Sequence, residues 1–358
     1  NLETDAVFGS RMLKKGEALK GGMPLYKYVG NKILTKFENL MLNSSLSEFH
    51  SGYRIYSVQA LKKIPFNLNT QDFHFDTEII IQFIFSNLKI REVPIPTYYG
   101  DEICHVNGIK YAFKVFNAVM LAYFQKINIT YNKKFDLESD IENYKPKFNF
   151  ISPHSLAIKR IKQDSTVLDL GCAGGYVGEK IKKDKNAFVV GVDYFPIPKN
   201  ITLDNFIKYD LEKGIPKDLR TNFDYILLLD VIEHLSDPET FLYKLKEHFK
   251  FNPEIKILVS TGNVLFFINR ILYFFGFFNY SKRGILDITH KRLFTRSSFL
   301  KLFKGEGFEV IKIIDIPGPW SLIFGDNYFS TIIIKINDLL CKVFPGIFAY
   351  QFFLEIKQ

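Results

Sequence analysis

The chain has 358 residues, which exceeds one typical domain of ~100–200 residues. Apolar residues make up 47% of the sequence and charged residues 24%, so the chain can bury sizeable cores. The net charge of +9 favours anionic partners such as nucleotide or lipid phosphates, but no basic motif interleaved with aromatic residues is present, and a nucleic acid partner is not expected.

The first predicted elements are a strand at 5–9 (DAVFG) and an amphipathic helix over 26–41. Three motifs follow: EFHSGYRIY at 48–56, DFHFDTE at 72–78 and VPIPTYY at 93–99. Together with the Gly-Ser-Arg that ends at Arg11, their order resembles the C-terminal half of family 2 inverting glycosyltransferases of the dolichyl-phosphate-mannose-synthase-like group.

In that family, nucleotide-binding strands and an Asp-x-Asp metal motif precede the Gly-Ser-Arg segment. Nothing precedes Asn1 in this sequence, so we expect a strand at 5–9 with no partner strands before it, an incomplete sugar-nucleotide pocket and no bound metal. Residues 1–125 are therefore interpreted as an incomplete GT-A-like α/β segment of a chain truncated at its N-terminus. The alternative interpretation is a domain that has decayed into a docking module.

The resemblance implies roles for five residues of this segment: Arg11, His50, Arg54, Asp76 and Glu78. The two guanidinium groups match the oxygens of a diphosphate. The other three lie where the family shapes its acceptor side, so one of the two carboxylates could act as a base toward a sugar or lipid phosphate hydroxyl. Each residue also has a structural alternative, such as an ion pair between Arg54 and a nearby acid.

An apolar helix is predicted over 111–125, and the polar stretch 126–150 is interpreted as a linker. Ser152 and Pro153 then have the residue types of a helix N-cap and first position. A second domain is expected over 151–358.

This second domain opens with a glycine-rich turn that predicts a nucleoside site. A short apolar strand at 167–170 runs into GCAGG at 171–175, and a helix is expected from Tyr176. The next apolar run, 187–192, ends in Asp193, near the ~20-residue spacing at which a carboxylate meets a ribose hydroxyl. The pattern is typical of one βαβ unit that holds a nucleoside.

The spacing Gly171-x-x-Gly174-Gly175 differs from the G-x-G-x-x-G of dinucleotide sites, and Asp169 on the strand would repel a pyrophosphate. An acid there suits the sulfonium and amino groups of S-adenosylmethionine. The segment resembles motif I of the class I S-adenosylmethionine-dependent methyltransferases. A glycine turn in another doubly wound protein is the alternative.

Later segments favour the methyltransferase interpretation. Apolar runs predict strands at 205–209, 223–229 and 255–260, and the β-rich segments 307–316 and 346–357 close the sheet. The stretch DVIEHLSDP at 230–238 resembles the motif of small-molecule methyltransferases related to ubiquinone and methionine-pathway enzymes. We expect an α/β fold with a doubly wound, seven-stranded Rossmann-like sheet.

The resemblance implies that Asp193 binds the ribose hydroxyls of S-adenosylmethionine, that Asp169 and Gly171 bind its methionine end, and that Asp210 binds the edge of its adenine. The full set of predicted cofactor residues is Asp169, Gly171, Cys172, Ala173, Gly174, Gly175, Asp193, Tyr194, Asp210 and Asp230.

The segment VLFFINRILYFFGFF at 264–278 is dense in aromatic residues. It is shorter than the ~20 apolar residues of a membrane span, and a charged residue interrupts it. A lid over the acceptor pocket, a membrane-surface helix and a core helix remain three open interpretations.

The segment YSKRGILDITHKRLFT at 280–295 resembles an acceptor-side segment of the same methyltransferases. Methyl transfer to a hydroxyl requires a base, and imidazole accepts protons near neutral pH. His290 is the first candidate, His234 is the second, and Asp287 could orient either ring. Packing or capping is the alternative for His234.

The sequence therefore predicts an S-adenosylmethionine-dependent methyltransferase that methylates an oxygen of a sugar, a glycolipid or another small acceptor, with a quinone-like acceptor equally compatible. The alternatives are a bifunctional glycosyltransferase with an accessory methyltransferase unit, and a non-catalytic nucleoside-binding module. The three cysteines, Cys104, Cys172 and Cys341, show no metal or disulfide spacing. We expect a cytoplasmic location, with peripheral contact at the inner face of the membrane as an option.

Overall fold

The computed structural model describes residues 4–100, 107–127, 129–137, 148, 150–321, 325 and 327–358. Contacts divide the chain into two compact units, with the boundary between Tyr144 and Lys145 and with 279–282 assigned to the first unit. Of the linker predicted over 126–150, residues 128, 138–147 and 149 lie outside the described residues, as does Cys104. Within its described part, Phe135 and Leu137 are buried in the core of the first unit.

The first unit contains a three-stranded sheet. Its strands are β1 (Ala6–Ser10), β2 (Arg54–Tyr56) and β3 (Ile90–Pro94), in the order β2-β1-β3. β1 pairs antiparallel with β2 and parallel with β3. The strand predicted at 5–9 is present as β1, and both of its partner strands come from later in the sequence.

The α-helices of the described part of the first unit are α1 (Glu17–Lys20), α2 (Leu25–Leu42), α3 (Val58–Leu61), α4 (Phe75–Phe85) and α5 (Gly108–Lys126). Asn107 caps α5, since its side chain accepts a hydrogen bond from the Lys110 amide. The core includes Phe8 of β1, Phe49, and Phe83 of α4, all fully buried. This core fixes the loop at 47–54, which carries several candidate site residues.

The second unit contains a seven-stranded sheet in the order β6-β5-β4-β7-β8-β10-β9. The first five strands in this order are parallel, whereas β10 pairs antiparallel with β8 and β9. The strands are β4 (Thr166–Leu170), β5 (Phe188–Asp193), β6 (Asn205–Lys208), β7 (Tyr225–Leu229), β8 (Lys256–Gly262), β9 (Glu309–Ile316) and β10 (Gln351–Lys357).

The sequence analysis predicted all seven strands, and most of the predicted strand ends lie within two residues of the observed ends. Strands covered on both faces form continuous apolar runs, which makes them recognisable in the sequence. All five residues of β7 are buried, for example. The segment 346–357 needs a correction, since Pro345–Phe348 forms a short helix and only Gln351–Lys357 is strand.

The helices of the second unit are α6 (Pro153–Arg160), α7 (Tyr176–Lys185), α8 (Pro238–Phe249), α9 (Phe267–Phe274), α10 (Arg296–Gly305), α11 (Tyr328–Val343) and α12 (Pro345–Phe348). Ser152 and Ser155 form a reciprocal capping box at the start of α6. The sequence analysis did not predict α11. Among the described residues, no helix combines the length and the apolar character that crossing a membrane requires.

Candidate active site of the second unit

The carboxyl ends of the parallel strands meet at one edge of the sheet, where ligands bind in open α/β folds. Four segments reach this edge: the loop at 171–175 after β4, Asp193 at the end of β5, Asp210 after β6 and the loop at 230–235 after β7. β10 runs antiparallel to them, so its first residue, Gln351, also lies at this edge, opposite Gly262.

The loop at 171–175, which we call the cradle, has a shape that requires glycine. Gly171 has φ 75°, and a β-carbon there would lie 2.5 Å from Val231 Cγ2. Gly175 has φ 72° and caps α7, and its amide donates to the Cys172 carbonyl at 2.8 Å. A side chain at either position would be strained and would fill space beside the loop.

Asp193 fastens the cradle to the end of β5. Its Oδ2 accepts from the Ala173 amide at 2.7 Å, and its Oδ1 accepts from the Phe195 amide at 2.9 Å. Ala173 has φ 47°, an uncommon conformation for a residue with a β-carbon. The carboxylate therefore holds a strained residue of the cradle, a role that the sequence did not reveal.

Asp169 lies on the same face of the sheet as Asp193. Asp169 pairs with Gly191 in the parallel register, and Asp193 follows two residues later, so the side chains share one face. Asp169 is 3% exposed, and its Oδ2 has no hydrogen-bond partner among the described residues. Burial, with a further contribution from the charge of Asp193, raises the pKa of Asp169 to about 7.

The other predicted cradle residues contribute mainly through shape. The Cys172 side chain is buried, and a β-carbon at Gly191 would lie 2.9 Å from its Sγ. Burial raises the pKa of the Cys172 thiol, which excludes a thiolate near neutral pH. A β-carbon at Gly174 would lie 2.4 Å from the Tyr176 ring, whereas Tyr194 is 59% exposed beside Asp193.

Asp210 and Asp230 have partners within the fold. Asp210 Oδ1 accepts from the Glu212 amide at 3.1 Å and begins a short helical turn. Asp230 has φ 56°, accepts from Ser260 Oγ at 2.6 Å, and accepts from Gln351 Nε2 at 3.0 and 2.9 Å. Asp230 thus ties the loop after β7 to β8 and β10.

Glu233 is a buried carboxyl to which the sequence analysis gave no role. It is 2% exposed, and its Oε2 has no hydrogen-bond partner among the described residues. Burial, together with the charge of Asp230, raises the pKa of Glu233 well above its usual range. Its place between Asp230 and His234 in the motif was the signal that could have identified it.

The loop at 230–235 joins the cradle to the segment that carries His290. Val231 contacts Gly171, and the Glu233 carbonyl accepts from the amides of Lys291 and Arg292 at 2.9 and 3.0 Å. His290 and His234 are in ring contact. The structure therefore brings both candidate bases to the cofactor side of the sheet.

Each histidine has a defined partner. His290 Nδ1 lies 3.0 Å from the Ile285 carbonyl. A carbonyl oxygen only accepts, so Nδ1 carries the hydrogen and Nε2 keeps its lone pair. His234 Nδ1 lies 3.2 Å from Thr289 Oγ1, which donates to Asp287 Oδ1 at 2.7 Å. Asp287 thus reaches the His234 ring through Thr289.

The aromatic segment 264–278 combines a buried and an exposed part. Phe266 is buried with Ile285, Leu286 and Trp320 in a small separate core, which we call the cap core. Helix α9 covers only Phe267–Phe274. Phe274 is 84% exposed. A purely buried core helix is therefore incorrect, because the outer side chains of this segment are exposed.

In the first unit, the predicted site residues are held by two acids that the sequence analysis missed. Glu48 accepts from the Arg11 amide at 2.7 Å and from its Nε at 3.0 Å. Glu38 Oε2 lies 3.0 Å from His50 Nε2. Both acids have fully buried side chains.

The remaining three candidates of the first unit also form pairs. Arg54 contacts Asp76 Oδ1 at 2.7 Å, which is the ion pair considered from the sequence. Burial raises the pKa of Asp76, and Arg54 opposes that shift. Glu78 pairs with Lys134 and accepts from the Thr70 amide at 2.7 Å. Among the described residues, no group of three or more His, Cys, Asp or Glu side chains is arranged to hold a metal ion.

The edge of the second unit fits S-adenosylmethionine. The cradle leaves room that a β-carbon would fill, and Asp169 has a buried carboxyl oxygen without a partner. A cationic sulfonium or amino group of S-adenosylmethionine would satisfy that oxygen and balance the charge of the carboxylate. Asp193 adds a second carboxylate on the same face.

Comparisons with known proteins agree with this geometry. Residues 138–313 match a family model described as a methyltransferase domain. The chain is 34% identical over 106 residues to ubiquinone biosynthesis O-methyltransferase of Azorhizobium caulinodans, covering 27% of this chain and 40% of that protein. It is 37% identical over 101 residues to low-salt glycan biosynthesis hexosyltransferase Agl6 of Haloferax volcanii, covering 28% of this chain and 23% of that protein.

A solved S-adenosylmethionine-dependent methyltransferase from Archaeoglobus fulgidus is 17% identical, with a TM-score of 0.38, over 57% of this chain and 94% of that one. The chain spans less than half the length of the two curated relatives. The family match over residues 138–313 supports methyltransferase activity in the C-terminal part of the chain, with S-adenosylmethionine as the cofactor.

Proposed function

We propose that this domain methylates a hydroxyl oxygen of a sugar, a glycolipid or another small acceptor. The observation that carries the proposal is the loop at 230–235, which contacts the cradle through Val231 and holds the His290 segment through Glu233. The residues proposed to bind the cofactor and those proposed to act on the acceptor are thereby held by the same loop. Alignment of the two reactants provides most of the rate acceleration in such a transfer.

The cofactor-binding roles follow the sequence prediction. Asp193 would hold the ribose hydroxyls, Asp169 and Gly171 the methionine end, and Asp210 the adenine edge. The unpaired oxygen of Asp169 supports its role, because a buried polar atom without a partner is costly unless a ligand satisfies it. When bound, S-adenosylmethionine supplies an already activated methyl group.

The protein then has to remove the hydroxyl proton of the acceptor. His290 Nε2 is the proposed base, since Nδ1 is committed to the Ile285 carbonyl. Burial lowers the pKa of His290, with a smaller contribution from His234, so the ring is neutral near pH 7 and can accept a proton. His234 is the second candidate, and Asp287 acts as a positioning residue for it through Thr289.

A sugar-linked acceptor is supported by the relative named as a glycan biosynthesis hexosyltransferase and by the glycosyltransferase-like motifs of residues 1–125. The ubiquinone O-methyltransferase supports transfer to oxygen, and it keeps a quinone-like acceptor as the alternative. A precursor of a cell-surface glycan on a lipid carrier would place the protein at the inner face of a membrane in the cytoplasm.

A second candidate function is glycosyl transfer with the methyltransferase domain as an accessory. The buried pairs of Arg11 with Glu48 and of His50 with Glu38 favour it, because such polar networks are costly to keep without a use. The reading frame of the complete protein tests this candidate. An Asp-x-Asp motif upstream of residue 1 would support it.

The test of the main proposal is a transfer assay with tritiated methyl groups on the cofactor and a glycolipid extract as the acceptor. Mass spectrometry of the labelled product identifies the methylated atom. Equilibrium binding of S-adenosylhomocysteine is measured in parallel. Product labelled on oxygen supports the proposal, whereas tight binding without any labelled product would favour a non-catalytic binding module.

A further inference from the structure

Helix α11 presents an apolar stripe to solvent. Its five members recur at intervals of four or three residues, which places them on one face of the helix. They are Tyr328, Ile332, Ile336, Leu339 and Val343, with exposures between 39% and 82%. Soluble monomeric proteins rarely leave such contiguous apolar surface uncovered.

The opposite face of α11 is fixed within the unit. Asn337 Oδ1 accepts from Trp320 Nε1 at 2.9 Å and from the Gly318 amide at 2.7 Å. Cys341, one turn further on, is 1% exposed. The exposed stripe is therefore the outer side of a firmly docked helix.

A second apolar surface lies on the segment that contains α9. The side chains of Ile271, Phe274, Phe275, Phe277 and Phe278 are exposed by 50% or more. The inner side of α9 and two residues of α11, Ile333 and Ile334, pack against the same cap core around Phe266 and Trp320. We call the exposed apolar side chains of these two segments the cap surface.

The charges on these segments are mostly positive. Arg270, Lys335 and Lys342 are exposed, and the sequence 264–278 contains no acid. The acid of α11, Asp338, pairs with Lys342, with 2.8 Å between Oδ2 and Nζ, so the positive charge that remains on these two segments is that of Arg270 and Lys335. Phenylalanine-rich apolar faces flanked by cations match a bilayer surface with anionic headgroups.

The cap core also supports the acceptor side of the site. Ile285 belongs to it, and the Ile285 carbonyl holds the His290 ring. We propose that the cap surface docks the second unit onto an anionic lipid bilayer, so that an acceptor embedded in the bilayer reaches His290. The docking stands on the surface itself, whereas the delivery of an acceptor rests on the function proposed above.

The test is flotation of the full chain with vesicles. One set contains phosphatidylglycerol mixed with phosphatidylcholine, and the other contains phosphatidylcholine alone. We expect recovery with the anionic vesicles, weaker recovery with the neutral ones, and a decrease at high salt. Ile336→Gln with Leu339→Gln should lower the partition constant about tenfold or more, since two apolar side chains lose their burial in the membrane.

Phe251→Ala is the matched control. Phe251 is 86% exposed and precedes β8, at the opposite edge of the sheet from the site, so its loss should leave the partition constant unchanged. Unchanged binding of S-adenosylhomocysteine shows that each variant is folded. Loss of vesicle binding in the double variant alone supports docking.

Three results would overturn the proposal: no recovery of the wild type with anionic vesicles, equal recovery with both sets, or an equal loss in Phe251→Ala. A lipid-free dimer that the double variant converts to a monomer would also overturn it, because a second copy would then cover the surface. Failure of methyl transfer with intact vesicle binding counts against the proposed function alone.

Discussion

The imidazole rings of His234 and His290 lie edge to face, with their centroids 4.7 Å apart and their planes at 76°. A positive charge on the nearby His234 ring disfavours a proton on His290, because the two charges would be close in a partly buried site. Burial is the larger cause of the lowered pKa of His290, and His234 adds to it. The His290 ring is thereby kept neutral and able to accept a proton.

Replacing His290 tests this role. We expect His290→Gln to lower kcat about 10²–10⁴-fold, because the acceptor proton then has no base. In the wild type, kcat/KM should rise with pH through a pKa below 6.5, the ordinary value of histidine, and this limb should vanish in the variant. Steady-state rates between about pH 5 and pH 8 measure both effects.

His248→Gln is the matched control for this prediction. His248 lies on α8, outside the candidate site, and its Nε2 is 3.0 Å from the Leu219 carbonyl oxygen. The rate and the pH profile of the His248→Gln variant should stay close to those of the wild type. An unchanged kcat in His290→Gln, with His234→Gln inactive, would transfer the role of base to His234.

The raised pKa of Asp169 predicts a pH-dependent cost in stability. The unfolded carboxyl ionises near pH 3.8 and the folded one near 7, so the ionised group destabilises the fold increasingly as pH rises between these values. Asp169→Asn should therefore stabilise the cofactor-free chain more at about pH 8 than at about pH 5, by on the order of 2 kcal/mol.

Thermal or urea unfolding at both pH values measures this difference. The same variant should bind S-adenosylhomocysteine more weakly, because an amide nitrogen replaces one carboxyl oxygen and the negative charge is lost. A stability gain that is equal at both pH values would contradict the assignment of a buried ionisable Asp169.

Removal of the Asp193 carboxylate should abolish cofactor binding while the fold survives. Asp193→Ala loses the ribose partner and also releases the Ala173 amide from its 2.7 Å hydrogen bond. Asp193→Asn keeps one acceptor oxygen and should retain part of the affinity. Calorimetry with S-adenosylmethionine compares both with Asp184→Ala, whose carboxylate pairs with Lys180 on the surface of α7. Unchanged affinity in Asp193→Ala would show that the site assignment is wrong.

Gly171→Ala should weaken cofactor binding and stability together. The new β-carbon would approach Val231 to 2.5 Å in a conformation with positive φ, which costs about 1–2 kcal/mol or more. Gly305→Ala at the end of α10 is the control, since nothing lies within 4 Å of its added β-carbon. Unfolding and S-adenosylhomocysteine titrations compare the stability and the affinity of the two variants. Equal losses in Gly171→Ala and Gly305→Ala would argue against a cradle whose shape requires glycine.

In the first unit, Glu48→Gln should destabilise strongly. The Glu48 side chain is fully buried and receives hydrogen bonds from Arg11 and from Asn31 at 2.8 Å. Loss of its charge leaves the guanidinium without a counterion, at a cost of about 3–5 kcal/mol. Glu17→Gln removes an exposed partner of Lys20 and should change stability by less than about 1 kcal/mol. Circular dichroism during urea unfolding measures both, and a silent Glu48→Gln would show that the pair is dispensable.

Local patterns were sufficient for the strands and the cradle of the second unit, but not for α11 or for the short helix Pro345–Phe348. The apolar runs of the seven strands, the glycines at 171, 174 and 175, and the acids at 169 and 193 are all close in sequence, and each has a local physical reason. They predicted the sheet and the position of the cradle. The roles assigned to the individual site residues remain predictions.

Partners that are distant in sequence were not predicted. Glu48 joins Arg11 across 37 residues, and Gln351 joins Asp230 across 121 residues. The pairing of the strand β1 was not predicted, because its neighbours, β2 and β3, come from later segments. No periodicity within one segment encodes such pairings.

The sequence by itself therefore determined which segments form strands, where the backbone needs glycine and which acids end neighbouring strands, since these depend on residues close together in the chain. Only the tertiary structure decided that Asp169 keeps an unpaired oxygen, that His290 Nδ1 is committed to Ile285, and that α11 leaves an apolar face in solvent. Burial and hydrogen-bond partners depend on which segments meet in space, and that is settled by packing of the whole unit.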